Sequence, residues 1–247
     1  MKPIVLIPAR MASTRLPGKP LADIAGTPMI VRVWRQAIAA DIGPVVVAAA
    51  EREIAAAIEA VGGRAVLTPP ELPSGSDRIF AALERVDRAG DHDVIVNLQG
   101  DLPDLDPAHI KKVIEPLSNP AVDIATLVVE IDNDADRADP NVVKPAVVWS
   151  SDGRSGRALY FSRATIPSGA GSVFHHLGIY AYRRAALTRF VALSPSPLEK
   201  REKLEQLRAL EAGMHVAVVR VDSVPLSVDT ADDLAKARAK LGKQASS

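Results

Sequence analysis

The first residues that could do chemistry form a basic loop directly after an apolar segment. Between Ala9 and Pro20 the loop carries Arg10, Arg15 and Lys19, together with two hydroxyl residues and a glycine. Three fixed positive charges beside the free N–H groups of an irregular loop suit a polyanion such as a triphosphate. The loop has neither the P-loop spacing nor the G-x-G-x-x-G spacing. Two interpretations therefore remain, a triphosphate site and an ordinary solvated basic loop.

Two acidic residues follow predicted strands at places where a ligand site is expected. Asp101 comes directly after Gly100, which permits a tight backbone approach. Asp229 precedes a predicted helix, so either it or Thr230 caps that helix, or Asp229 binds a ligand. Two carboxylates facing a triphosphate would hold Mg²⁺, because this ion takes one or two protein carboxylates and completes its shell with phosphate oxygens and water. The sequence alone does not place the two acids together.

A second group of polar residues permits both a structural and a functional interpretation. Ser74 or Ser76 caps a predicted helix with Arg78 in its first turn, and the same groups could read a nucleobase edge by hydrogen bonds. His175 and His176 lack further metal ligands at helical or hairpin spacing, which favours hydrogen bonding or surface exposure.

A long helix is predicted over 199–213, where apolar side chains recur at helical spacing. Its buried stripe is marked by Leu204, Leu207 and Leu210. Glu205 and Gln206 then lie toward the edges of that stripe, where a solvated helix face is the simplest interpretation.

The elements that position these residues follow from hydrophobic periodicity. Over residues 1–120, short runs rich in Val and Ile alternate with helical stretches, which predicts a mostly parallel, Rossmann-like sheet in a three-layer α/β/α core. After a helix near 107–118, strand-like runs follow one another without a crossover helix, so we expect a small mixed or antiparallel lobe over about 123–195. The last helix is expected over 230–241, followed by a frayed tail.

Composition narrows the classes of protein. Hydrophobic residues make up 47% of the 247-residue chain and charged residues 24%, which is typical of a globular protein, and we expect a single domain. Thirty Lys and Arg balance thirty Asp and Glu, so no global field attracts nucleic acid. The chain has no cysteine, which excludes disulfides and thiolate chemistry. Neither a signal peptide nor a membrane segment is recognisable, so we expect a cytoplasmic protein.

Eight segments resemble those of one enzyme family and occur in the same order along essentially the whole chain. They are IPARMASTRLPGKPLADIAGTPMI, SGSDR, NLQGDLP, DPNVVK, ALYFSRATIP, HHLGIYAYR, SPLEKREKLEQLRAL and VDTADDL. The chain is similar in these segments to the CMP-KDO synthetases, the 3-deoxy-manno-octulosonate cytidylyltransferases. The resemblance implies a nucleotidyltransferase fold and a Mg²⁺-dependent homodimer whose lobe serves dimerisation or sugar binding. It also implies transfer of CMP from CTP to KDO for lipopolysaccharide biosynthesis.

The resemblance also implies roles for individual residues. The residues implied to hold the triphosphate are Arg10, Arg15 and Lys19. The implied neighbours of cytosine are Ser74, Gly75 and Arg78. The implied metal ligands are Asp101 and Asp229. The residues implied to be catalytic are these two acids together with Arg10 and Lys19. The residues implied to surround the sugar acid are Gln99, Arg163, His176, Tyr180, Glu205 and Gln206.

Three features depart from the family pattern. Leu102 replaces a common Glu, the segment Ala48–Ala50 replaces a common A-T-D, and the loop after Pro167 is short. These departures leave open a cytidylyltransferase for a modified or different ulosonic acid, or a catalytically idle nucleotide- or sugar-binding paralogue. An NAD-binding oxidoreductase is a third hypothesis, which the missing glycine fingerprint after the first strand disfavours.

Overall fold

A computed structural model describes residues 1–13 and 15–244 of the chain. In this part of the chain the strands are β1 Pro3–Ala9, β2 Asp23–Ile24, β3 Thr27–Pro28, β4 Val45–Ala49, β5 Arg64–Leu67, β6 Val94–Asn97, β7 Ile124–Glu130, β8 Lys144–Trp149, β9 Ser155–Ser162, β10 Phe174–Arg183 and β11 Val216–Arg220. The α-helices are α1 Met29–Ala39, α2 Arg52–Glu59, α3 Gly75–Val86, α4 Pro107–Lys112, α5 Asp134–Ala138, α6 Arg184–Ala192, α7 Pro197–Glu202, α8 Gln206–Glu211 and α9 Ala231–Gln244. Short 3₁₀-helices cover Lys19–Leu21 and Glu115–Ser118.

The chain forms two compact units. The first unit combines the residues up to Lys111 with those from Pro225 onward, and the second unit comprises Lys112–Val224. The predicted lobe over about 123–195 lies within the second unit. Among the described residues, no helix is both long and apolar enough to cross a membrane.

The first unit is built on a parallel sheet, as the alternating pattern predicts. Its strands follow the order β5, β4, β1, β6, with Val5 paired to Val45 and Ile4 paired to Ile95. The strands β1, β4 and β6 are buried almost throughout, which explains their continuous apolar sequences. The chain moves outward from β1 to β4 and β5 and then returns to place β6 on the other side of β1. The α/β prediction is therefore confirmed.

The last segment of the first unit packs on a short hairpin formed by β2 and β3. Leu234, Ala237 and Leu241 of α9 form a buried cluster with Ile24 and Met29. Their spacing of three and four residues is that of one helix face, so burial of this face fixes α9 against the early part of the chain.

The second unit contains a mixed five-stranded sheet. Its order is β10, β7, β11, β9, β8, in which β7 and β11 are parallel and the other neighbours are antiparallel. The expectation of mixed or antiparallel strands is therefore confirmed. The pairing of β7 with β10 is interrupted by a bulge between Leu177 and Tyr180.

Several predicted helix bounds were wrong. The helix predicted near 107–118 is divided into α4 and the 3₁₀-helix at Glu115–Ser118. The helix predicted over 199–213 is also divided, because Lys203 adopts a left-handed conformation with φ of 57° between α7 and α8. The last helix continues through Gln244, three residues into the tail expected to fray, and residues 245–247 lie outside the described part of the chain.

We expect Gly100→Ala to destabilise the first unit. A Cβ at Gly100 would lie 2.9 Å from the main-chain oxygen of Pro8 and 3.3 Å from Cδ1 of Ile30, so β1 or the residues after β6 must shift. Overpacking of this kind costs about 1–3 kcal/mol, which a urea titration measures directly. Gly242→Ala in α9 is the matched control, since a Cβ there meets nothing within 4 Å and a helical alanine is favourable. Equal urea midpoints for the two variants would contradict the prediction.

Candidate functional site

A cleft of about 380 Å³ opens in the first unit near the carboxyl ends of β1 and β6. It is lined by Pro8, Ala9, Arg10, Ala12, Ser13, Arg15, Lys19, Pro20, Leu72, Ser74, Gly75, Arg78, Gln99, Gly100 and Asp101. The strand order reverses at β1, and open α/β sheets bind ligands at such a reversal point. The structure therefore brings the basic loop together with Asp101 and with the residues implied to contact cytosine.

Lys19 joins the two predicted metal-binding acids. Its Nζ lies 2.7 Å from Oδ2 of Asp101 and 2.9 Å from Oδ1 of Asp229. Burial lowers the pKa of Lys19, but the charges and hydrogen bonds of both carboxylates outweigh this effect and raise that pKa above its ordinary value. The lysine side chain is 14% exposed, and Arg15 adds an exposed contact at 3.2 Å from Oδ1 of Asp229. The meeting of the two acids, which the sequence left open, is thus established.

Local hydrogen bonds show whether Thr230 or Asp229 caps α9, and therefore whether the Asp229 carboxylate remains available to a ligand. Thr230 accepts the N–H of Asp233 through its hydroxyl oxygen, and the Asp233 carboxylate accepts the Thr230 N–H in return. This reciprocal arrangement satisfies the start of the helix, so the Asp229 carboxylate is not used as the cap. The N–H of Val228 donates to the main-chain oxygen of Asp101 at 3.0 Å, which holds Asp229 beside it.

The basic loop is held by an acid that the sequence analysis missed. Oε2 of Glu51, the residue before α2, accepts the N–H of Met11 at 2.9 Å. The loop closes where the N–H of Gly18 donates to the oxygen of Met11, with Gly18 at a φ of 71°. An acid between a strand and a helix was a signal that could have found Glu51. Thr14, within this loop, lies outside the described residues.

Ser74 and Arg78 both have structural partners. Ser74 caps α3, since its Oγ accepts the N–H of Asp77 at 3.1 Å. Arg78 is only 2% exposed and donates to Thr68 Oγ1 and to the main-chain oxygens of Pro69 and Pro70. Burial and the charge of Arg10 lower its pKa. The guanidinium therefore secures the segment after β5, and a direct contact with cytosine stays a prediction.

Gln99 and Gly75 complete the cleft. Gln99 donates to Oδ1 of Asn97 at 3.2 Å, which orients its amide group. A Cβ at Gly75 would lie 3.3 Å from Cγ of Pro8 and 3.7 Å from Oε1 of Gln99, so the start of α3 packs closely against β1. The other five residues implied to surround the sugar acid lie in the second unit.

His176 and Tyr180 lie together on β10. Their ring centroids are 5.4 Å apart, and the His176 ring also meets Phe161 edge to face at 5.0 Å. Burial, with a smaller effect of His175, lowers the pKa of His176 to about 3, so the ring is neutral at physiological pH. Burial, with Tyr182 and Glu205 nearby, raises the pKa of Tyr180 and keeps its phenol protonated. These groups can exchange hydrogen bonds with hydroxyls, but they carry no charge.

Arg163 uses its guanidinium on the backbone. Nε donates to the main-chain oxygen of Glu202 at 2.8 Å and Nη2 to that of Lys203 at 3.4 Å, while Nη1 donates to Pro140. The carbonyls of Glu202 and Lys203 are left by the break between α7 and α8, so Arg163 explains how the predicted single helix can end at Glu202. Its contact with the sugar acid stays a prediction.

Glu202 is a second residue that the sequence analysis missed. Its Oε1 accepts the Ser162 hydroxyl at 2.8 Å and its Oε2 accepts the N–H of Arg163 at 3.0 Å. Glu205 precedes α8 and Gln206 begins it, so both stand at a helix start rather than on the flank of a long helix. Gln206 is buried and Glu205 is partly exposed, 3.9 Å from Arg208. A solvated face is therefore wrong for Gln206.

The acid pair fits a divalent cation. Oxygens of Asp101 and Asp229 both lie within 3 Å of one nitrogen, the Nζ of Lys19, so a single cation can contact both carboxylates. Across residues 1–13 and 15–244 no group of three or more His, Cys, Asp or Glu is placed to hold a metal ion. Two carboxylates alone suit Mg²⁺, which takes its other ligands from phosphates and water.

Comparison with known proteins is consistent with this geometry. The family model described as cytidylyltransferase matches residues 4–216. A protein of Parvibaculum lavamentivorans named 3-deoxy-manno-octulosonate cytidylyltransferase is 63% identical over 98% of this chain and 93% of its own length. A protein of Rhodospirillum rubrum with the same name is 62% identical over 97% of this chain and 96% of its own length.

Solved structures agree in fold. The structure of CMP:2-keto-3-deoxy-manno-octonic acid synthetase complexed with CTP superposes with a TM-score of 0.90 at 37% identity, covering 99% of this chain and 100% of that one. A nucleotidyl transferase from Methanothermobacter thermautotroptrophicus, at 16% identity and a TM-score of 0.63 over 98% of this chain and 99% of that one, shares the fold alone. With a family model covering most of the chain and relatives above 60% identity, the chain belongs to the cytidylyltransferase family, among the 3-deoxy-manno-octulosonate cytidylyltransferases.

Proposed function

We propose that this chain transfers the cytidylyl group of CTP to the anomeric hydroxyl of 3-deoxy-manno-octulosonate. The hydroxyl oxygen forms a bond to the α-phosphorus while the bond from that phosphorus to the β-phosphate oxygen breaks. Pyrophosphate leaves, the hydroxyl proton passes to solvent, and CMP-KDO is the product. The observation that carries this proposal is the cleft lined by Arg10, Arg15, Lys19 and Asp101, with Asp229 bound to Lys19, in a chain whose relatives bear this activity in their names.

The chain's own residues act by position and charge. Arg10, Arg15 and Lys19 supply positive charge where the triphosphate would lie, and their effect increases as charge develops on the departing pyrophosphate. Bound Mg²⁺ would neutralise phosphate charge between Asp101 and Asp229. No described side chain stands out as a general base, and the neutral His176 does not supply a cation for the sugar carboxylate.

The alternatives of another ulosonic acid and of an idle paralogue are not favoured. Relatives at 58–63% identity share one name, and the residues implied for catalysis are all present. Ala48 and Ala49 are fully buried in β4 and Leu102 is nearly so, whereas Ala50, which stands where the family has the acid, is partly exposed. We place the reaction in the cytoplasm, where CTP is made, as part of the same proposal.

The test is pyrophosphate release from CTP with Mg²⁺ and 3-deoxy-manno-octulosonate. We expect turnover with this sugar, and at least about a hundredfold less in Asp101→Asn and Asp229→Asn, because both lose a charged ligand and keep its shape. Asp232→Asn is the matched control on α9, since Asp232 is exposed. Turnover in Asp101→Asn at half the wild-type rate with saturating Mg²⁺ would refute the metal assignment. Absence of turnover in the wild type would refute the function.

Lys19→Met should affect metal and nucleotide in opposite directions. Without the ammonium group, the carboxylates of Asp101 and Asp229 lose their internal partner, so Mn²⁺ should bind the protein alone more tightly, as measured by electron paramagnetic resonance. The KM for CTP should rise and kcat should fall, each at least about tenfold, because the charge near the leaving phosphates is gone. Lys111→Met, at an exposed position, should change neither. An unchanged kcat would mean that Lys19 contributes only ground-state binding.

We further infer that two copies associate through the hairpin of β8 and β9. Val148 and Leu159 on this hairpin are 56% and 55% exposed, which is unusual for large apolar side chains on an edge hairpin. Sedimentation equilibrium should give the mass of a dimer for the wild type and that of a monomer for Val148→Asp combined with Leu159→Asp. Ile38→Asp, at an apolar position of similar exposure on α1, is the control that should remain dimeric.

A further inference from the structure

Thr126 holds the ring of His176 from the neighbouring strand. The residue is fully buried on β7, and its Oγ1 lies 2.9 Å from Nε2 of His176. The same oxygen lies 2.7 Å from the main-chain oxygen of Ile179 and 3.1 Å from that of Leu177. Ile179 lies within the bulge between Leu177 and Tyr180, where β10 is out of register with β7, so its carbonyl is available to the threonine hydroxyl.

The three contacts determine which nitrogen of His176 carries the proton. A carbonyl oxygen only accepts, and a hydroxyl has one proton. Donation of that proton to His176 would leave Oγ1 facing two carbonyl oxygens at 2.7 and 3.1 Å with no proton between them, so the Thr126 proton is donated to a carbonyl. Oγ1 must then accept from His176, which places the ring proton on Nε2. In a neutral ring the other nitrogen, Nδ1, keeps its lone pair and is an acceptor.

Nδ1 of His176 has no hydrogen-bond partner in the described part of the chain. The residue is 8% exposed, and its ring is flanked by those of Phe161 and Tyr180. A buried imidazole that is fixed on one side and unpartnered on the other is suited to receive a ligand hydroxyl.

We propose that Thr126 is a positioning residue that fixes His176 with its proton on Nε2, so that Nδ1 accepts a hydrogen bond from one hydroxyl of the sugar acid. The proposal rests on the proposed function, because it takes His176 as a sugar contact. A fixed neutral acceptor favours a hydroxyl and offers nothing to a carboxylate. A sugar that lacks the matching hydroxyl is therefore bound less tightly, because it leaves Nδ1 without a donor.

The first experiment reads the ring directly. In protein labelled with ¹⁵N at histidine, the two ring nitrogens of His176 should show the signature of a neutral ring protonated on Nε2. Addition of 3-deoxy-manno-octulosonate should shift the Nδ1 resonance and leave Nε2 nearly unchanged. A proton on Nδ1 in the free protein, or no response of Nδ1 to saturating sugar, would overturn the proposal.

The second experiment separates a positioning role from a merely structural one. Thr126→Val keeps the side-chain shape and removes the hydroxyl, so we expect the Nε2 signature to be lost and the sugar KM to rise about tenfold, the value of one hydrogen bond. The KM for CTP should stay within about twofold, and Thr126→Ser should restore both the signature and the sugar KM. A Thr126→Val protein with altered ring protonation and an unchanged sugar KM would overturn the proposal.

A further pair of variants applies if Thr126→Val does not fold. His176→Asn retains an acceptor near the Nδ1 position, whereas His176→Gln retains a polar group only near the Nε2 position. The sugar KM should be lower in His176→Asn, and the reverse order would overturn the proposal. If the wild type bound the sugar through Nδ1 and released no pyrophosphate, the proposed function would fail while the role of Thr126 stood.

Discussion

The double ion pair of Lys19 with Asp101 and Asp229 is the constraint on which the first unit's site depends. It joins the loop after β1 to the residues after β6 and to the segment that leads into α9, since Asp101 and Asp229 lie 82 and 210 positions from Lys19 in sequence. Two carboxylates at this separation would repel each other without a cation between them. The lysine therefore permits the two carboxylates to lie close together, at a spacing that a divalent ion could bind. The backbone bond from Val228 to Asp101 and the packing of α9 hold the same geometry from behind.

The parts of this site that depend on local sequence could be predicted. The alternation of buried strands and amphipathic helices is a short-range pattern, and it correctly indicated a parallel core with a polar loop after β1. The competition between Asp229 and Thr230 for the start of α9 could not be resolved in the same way, because either residue type caps a helix. The structure shows that Thr230 is the cap, because its N–H donates to the carboxylate of Asp233 while its hydroxyl oxygen accepts the N–H of Asp233.

The errors arose where distant residues overrule local preference. Leucines at helical spacing favoured one helix over 199–213. Arg163, 39 residues before Glu202, donates instead to the main-chain oxygens of Glu202 and Lys203, which stabilises the end of α7 at this point. Residue types alone also could not distinguish a basic side chain that binds a ligand from one that binds the protein's own backbone. Arg78 has three backbone or hydroxyl partners within its own unit, whereas the Lys19 ammonium contacts the two acids.

The first unit consists of two separate stretches of the chain, so its two parts are synthesised at different times. Its four parallel strands, β5, β4, β1 and β6, are made by residue 97, but Asp229 follows only after the whole of the second unit has been translated. Domains generally fold in the order in which they leave the ribosome. During that interval Lys19 and Asp101 lack the second carboxylate, and Ile24 and Met29 lack the cover of α9. The nascent enzyme thus holds an unfinished site and an uncovered apolar patch until its final helix emerges.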